Sequence, residues 1–404
     1  MPSSETGDPQ FTEIDWSATA GRWQRPRWRT VGLVVALVGI AALFAYDVVV
    51  GPEKTLAVLE WDLARIDWLL LISIVLLARY VVFPIAADRR RTERYVAEFR
   101  SRPAAVASLV MLCAFALIGL FGPGMVSGGY PRLAHRLQPP AVGSVFVGDL
   151  TIIYDCVGQM TGETCHGTWQ YPLGTTRIGE NLVTLLVQGI QIALVLGISA
   201  AMIMGIVATA VGTTAGYLGG WVDDVLMSYV DVQGTVPAIV VYIVLATLYL
   251  GNLSGVTQGG LFAVALVFGL FDWGGIARIV RSEVMARRSA GYVRAARAAG
   301  ASDLHVIRRH VIPNSTGTIV TSLTRRIPLL ILAQTALSYL ALHRAGSKSL
   351  GRVLRIGLEG RHMPWFRKWW ITTFAVLVLL GMVVAFSVFG DEVRDVIDPQ
   401  SEVE

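Results

Sequence analysis

Residues able to do chemistry are sparse in this chain, and their positions limit what that chemistry is. One basic, water-compatible stretch, Tyr292 to Asn314 (YVRAARAAGASDLHVIRRHVIPN), lies between long apolar runs. Taken by themselves, its arginines and His310 suit a basic amphipathic helix lying on anionic lipid. Arg325 and Arg326 follow about eleven residues after Asn314, far enough to lie within the next apolar run. There they could attract a substrate carboxylate along a wet path, or snorkel and pair with a neighbouring helix. Asp272, beside Trp273, is a second candidate for such a path, and Gln334 a third. Asp231 reads as a residue that caps or pairs near the inner face rather than one that relays protons. His135, His166, His343 and His362 fall in polar segments, with no spacing that defines a metal site. No nucleotide-binding glycine loop is present, since Gly346-Ser347-Lys348-Ser349 has the wrong spacing to cradle phosphates.

The basic stretch encodes a helix, a break and a second helix. Residues 292–299 are rich in Ala and Arg, strong helix formers. Gly300 supplies a stop that tolerates positive φ. Ser302 is a good N-cap, and Asp303 puts negative charge at the positive end of the second helix. Arg308, Arg309 and His310 fall in the last turn, and Pro313 is expected to end the helix.

The elements that hold these residues are membrane spans. Of 404 residues, 54% are hydrophobic and 16% charged, and the mean hydropathy is +0.57. Such values argue for an integral membrane protein and against a nucleic-acid binder, despite a net charge of +5. Residues 1–30 read as a cytoplasmic tail whose arginines precede a first span, Val31 to Val50. An acidic external loop and a second span, Trp68 to Ala87, follow. The cluster Arg89, Arg90, Arg91, Arg94, Arg100 and Arg102 fixes the orientation by the positive-inside rule. A third span, Ala104 to Phe121, is expected to end at Gly122-Pro123-Gly124, with Cys113 buried inside it. Residues 123–178 form a long external loop with a strand expected within Val145 to Tyr154. Cys156 and Cys165 in that loop are candidates for a disulfide. Further spans are expected near Leu182–Thr214, Asp224–Leu250 (interrupted by Pro237), Leu261–Val280, Ser315–Leu342 and Trp369–Phe389, with 343–368 a polar external loop. The total is about eight, with both termini cytoplasmic.

The basic stretch resembles the "EAA" loop of ATP-binding-cassette (ABC) importer permeases. Ala295, Ala296, Gly300 and Pro313 hold that loop's spacing, with Arg294 in place of its glutamate and His310 where many members carry isoleucine. Other blocks match the peptide-importer subset in order. They are Gly174-Thr175 with Gly179, Ala215 to Asp231 (AGYLGGWVDDVLMSYVD), Ala336 to Leu340, and Gly390-Asp391 with Arg394-Asp395 and Asp398-Pro399. The glutamate expected before the fourth block is Gln334.

This resemblance implies an all-α polytopic permease, with a six-helix type I core and a two-helix N-terminal addition at residues 31–103. The first core helix and external loop occupy 104–178, and the transport core 179–404, with the coupling loop at 290–314. It implies a non-catalytic subunit of an ATP-driven plasma-membrane importer for dipeptides or oligopeptides, or for another solute such as nickel. Expected partners are a homologous permease, two ATPase subunits that hold ATP and Mg, an external substrate-binding protein and the bilayer. No cofactor or metal is expected on the chain itself. Arg294, Ala295, Ala296, Gly300, Ala301, Asp303, His310 and Pro313 are the implied coupling residues. A secondary transporter would favour inverted repeats and midplane acids, and a membrane enzyme a convergent polar cluster. The sequence offers none of these signals.

Overall fold

A computed structural model describes residues 26–50, 65–83, 89–126, 131–147, 155–245, 248, 260–342, 348–360 and 364–397. Helix α1 (Pro26–Val50) is followed by α2 (Arg65–Leu77), which opens into a wide turn at Ala78–Val82. The basic α3 (Arg89–Ser101) leads into α4 (Pro103–Met125), with Pro103 in its first turn. A proline lacks the N–H that a first turn leaves unused, so it starts a helix well. Contrary to expectation, α4 runs past Gly122-Pro123-Gly124 to Met125, and the Cys113 side chain faces outward, where a membrane helix meets lipid.

The loop after α4 forms a small sheet of β1 (Ser144–Phe146), β2 (Met160–Thr161) and β3 (Thr164–His166) in the order β1-β3-β2, antiparallel throughout. Val145 pairs with Cys165, and Cys165 is disulfide-bonded to Cys156. The remainder of the expected strand, 148–154, lies outside the described residues. So do most of the N-terminal tail, the acidic loop 51–64, His343, His362, Gly346-Ser347 and Asp398-Pro399.

The rest is built on α5 (Leu182–Leu218), one unbroken helix of 37 residues. The Asn181 side chain caps it, accepting from the Val183 N–H at 3.0 Å. Its start lies in one apolar cluster with Trp370, Ile371 and Leu350, and its later turns in a second with Phe268, Trp273, Val280 and Val306. Ala215-Gly216-Tyr217 belongs to this helix, which passes its expected end at Thr214 and stops only at Gly219. Next come α6 (Gly220–Gly234) and α7 (Ala238–Leu245), bent by 65° across Pro237, then α8 (Leu261–Phe271) and α9 (Gly274–Arg288), bent by 42°. Helices α5 and α9 approach backbone to backbone: a Cβ on Gly212 would lie 2.5 Å from the Ala277 carbonyl oxygen, and one on Gly216 2.6 Å from that of Arg281. Asp223 of α6 is locked to Arg281 of α9 by a bidentate ion pair.

Past the basic stretch, which contains α10 (Gly291–Ala298) and α11 (Asp303–Val306), run α12 (Ile312–Thr324) and α13 (Ile327–Tyr339). The expected single span over 315–342 is broken at Arg325-Arg326, because Pro328 cannot donate the N–H that would carry a helix through that turn. The expected loop 343–368 contains α14 (Leu350–Leu358), an amphipathic helix that buries Leu350, Gly351, Val353 and Gly357. Ser349 caps it, accepting from the Arg352 N–H. The last helix, α15 (Trp369–Ile397), extends beyond its expected end at Phe389. Among the described residues, four helices are long and apolar enough to cross a membrane, or up to six with the two bent pairs. Helices α2, α12 and α13 are each shorter than a bilayer demands.

Candidate coupling site and transport path

The basic stretch folds into a corner clamped to the end of α5. Helix α10 ends as Gly300 takes φ +82°, the left-handed region in which a side chain is strained. The Gly300 N–H still donates to the Arg297 carbonyl at 2.9 Å, closing the turn. Ser302 has extended, cap-like backbone, but its hydroxyl makes no capping bond.

Asp303 has a role that its helix position does not reveal. Its Oδ1 accepts from the Tyr217 hydroxyl at 2.7 Å. Arg297 lies over the Tyr217 ring, 4.7 Å from its centroid, and donates from Nε to the same hydroxyl at 3.2 Å. Tyr217 is buried, as are Val293, Val306 and Val311, so the corner is held by an apolar underside and one polar clasp. Ala296 and Ala301 pack against that underside.

The opposite face is open. Arg294 and Ala295 are exposed, and so are the large side chains Tyr292 and Leu304. His310 lies with its ring 6.2 Å from that of Tyr292 and 6.3 Å from that of His305. Pro313 does not end the second helix. The chain widens through Ile307–Val311, where the Ile312 N–H reaches back five residues to the Ile307 carbonyl, and continues as α12 with Pro313 in its first turn. The Asn314 side-chain amide donates to the His310 carbonyl at 2.6 Å. The second short helix is thereby continuous with a membrane helix.

Tyr217, Arg297, Tyr292 and Leu304 are absent from the residues that the sequence singles out. Leu304 had a signal, a bulky apolar residue in a polar segment. Tyr217 had none, because an apolar-looking tyrosine at a helix end reads as core.

The candidate path residues divide. Arg326 and Asp272 meet at 2.5 Å, joining the break between α12 and α13 to the bend between α8 and α9. Arg325 pairs with Asp391 of α15 at 3.3 Å. Both guanidiniums are thus engaged by carboxylates of this chain. Gln334 lies apart, buried in α13 with its Nε2 donating to Ser338 Oγ at 2.9 Å. Asp231 pairs with Arg278 across α6 and α9. His135 Nδ1 lies 2.7 Å from the Tyr171 hydroxyl.

Residues 193–402, just over half of the chain, match the family of binding-protein-dependent transport system inner membrane components. The chain belongs to that family. It is an ABC-importer permease that resembles the C-type permeases of dipeptide and oligopeptide systems, a non-catalytic transport subunit. It is 32% identical over 231 residues to the oligopeptide transport system permease protein OppC of Mycobacterium bovis, covering 57% of this chain and 76% of that one. It is 30% identical over 233 residues to the dipeptide transport system permease protein DppC of Lactococcus lactis, covering 57% and 64%. A longer match, 26% over 306 residues, covers 75% of this chain and 87% of OppC from Bacillus subtilis. The chain is accordingly a multi-pass membrane protein of the plasma membrane.

Proposed function

We propose that this permease forms half of the translocation path of an ATP-driven importer of dipeptides or oligopeptides and takes its driving force through the corner at 290–314. The carrying observation is the corner's two-faced build. One side is riveted to a 37-residue helix through Tyr217 and Asp303, while the other presents Tyr292, Ala295 and Leu304 to a partner. Short helices that expose Tyr292 and Leu304 among basic side chains suit a groove on a separate ATPase subunit. Closure of such ATPases on ATP and Mg would push the corner, and α12, continuous with it, would carry the displacement into the spans.

In this reading both termini lie on the side of the corner, which agrees with the arginine clusters of the sequence. A homologous permease completes the path, and an external binding protein delivers the peptide. Eight passes result when α2 with its wide turn, and α12 with α13, each count as one. Helices α1 and α2 are then an addition to the six-span core, fixed to it where Ile66, Trp68 and Ser73 are buried. Arg326 and Asp272 lie on the path as a pair whose separation opens it. The peptide class rests on the names of the relatives, and a different solute such as nickel would leave the coupling argument intact.

The test is cross-linking from Ala298→Cys on the exposed side of the corner. The expected outcome is capture of an ATPase subunit, with a yield that changes when ATP is added. Absence of any such adduct, or peptide uptake by this chain alone in liposomes, would sink the proposal.

A further inference from the structure

A basic cavity lies at the other end of the molecule from the coupling corner. The cavity, of about 390 Å³, is lined by Arg136, Arg177, Ile178, Arg352, Arg355, Ile356 and Glu359. Arg177 and Ile178 immediately precede α5, whereas Tyr217 at the far end of α5 holds the corner. A helix of that length puts the two sites roughly 55 Å apart.

Four guanidiniums converge there against two carboxylates. Glu180 accepts from Arg352 at 3.2 and 3.3 Å, and Glu359 is 4.0 Å from Arg355 Nε. Arg177 faces a further cation, the buried Lys368 ammonium. Lys368 donates to the Ile356 carbonyl at 2.7 Å and to that of Glu359, saturating the end of α14 that would otherwise repel an anion. The wall is thus stripped of its negative pole while positive charge accumulates around the opening. Like charges gathered this closely are costly unless a counter-anion joins them.

The same lysine fixes the depth of the cavity. Trp365 and Phe366, both exposed, lie three and two residues before Lys368, and Trp369 follows it. Exposed aromatic residues at the start of a membrane helix mark the headgroup layer.

We propose that this cavity binds a phosphate group, carried by the headgroup of an anionic phospholipid or present as free phosphate. Planar guanidinium forks match phosphate oxygens two at a time. The volume leaves more room than a bare phosphate needs.

The test uses the full chain with its co-purifying subunits in nanodiscs of phosphatidylcholine containing a minor fraction of phosphatidylglycerol. Native mass spectrometry is expected to find phosphatidylglycerol retained by the wild type. Retention by the double variant Arg177→Gln, Arg355→Gln should be at least about tenfold weaker. In pure phosphatidylcholine discs, inorganic phosphate should raise the melting temperature of the wild type relative to equal ionic strength of chloride, and should not do so for the variant. Lipid retention without a phosphate effect assigns the site to the membrane, and the reverse assigns it to the solute. Should the double variant fail to assemble, single Arg177→Gln, on a half-exposed side chain, serves in its place. The proposal is overturned if the wild type discriminates neither probe, or if the variants alter neither. It is also overturned if they weaken only the docking of an acidic external protein.

Discussion

Tyr217 shows how much one hydroxyl can carry at a membrane boundary. It donates to Asp303 and accepts from Arg297, while its ring fills the space beneath the guanidinium. Tyr217→Phe keeps the ring and removes both hydrogen bonds, a loss of about 1–3 kcal/mol because the partners are charged. The expected outcome is faster hydrogen exchange over residues 291–306, with membrane abundance close to wild type. Unchanged exchange there would show that the apolar underside alone holds the corner. Gly300 acts beside it through the backbone, since its φ of +82° is adopted poorly by any other residue. These two residues differ in how far the sequence reveals them. A glycine in a helix break announces its conformation locally, whereas the tyrosine acts through a contact 86 positions away.

At the scale of elements, α5 and α9 depend on glycine for their separation. A Cβ on Gly212 would meet the Ala277 carbonyl oxygen at 2.5 Å and Val280 Cβ at 2.8 Å, neither of which can swing aside. Gly212→Leu is expected to cost about 1–3 kcal/mol or more through forced repacking. Immunoblotting of membranes should show much less of the chain, while Gly275→Leu, whose Cβ would meet nothing within 4 Å, should accumulate normally. The longest apolar helices and the helix-break-helix corner were legible because length, apolarity and Gly300 are local signals. The breaks at Asp272-Trp273 and Arg325-Arg326 were not, for hydropathy averaged over a span conceals a two-residue interruption. Helix α14 also escaped, because Arg352 and Arg355 on its polar face made the segment read as loop although Leu350 and Val353 are buried. The amphipathic spacing was present. The expectation of an external connection overrode it.

Across the whole molecule, Arg326 and Asp272 tie together two broken spans, and Arg325 with Asp391 ties in a third. Removing one charge of the first pair leaves the other stranded between helices, so Arg326→Ala and Asp272→Asn should each lower peptide uptake strongly. The double variant should be less impaired than the two single effects combined, a coupling that a double-mutant cycle on uptake measures. Additive losses would mean that the pair is incidental to transport. Stiffness is distributed just as unevenly. Helix α5 is unbroken for 37 residues, while its neighbours are jointed at 235–237, 272–273 and 325–326. A member with no joint can tip but cannot fold, so the span from the Thr175–Trp370 contact to the Tyr217–Asp303 clasp is a built-in ruler. Whatever shape the neighbouring helices adopt, the distance between the two ends of that ruler stays close to constant.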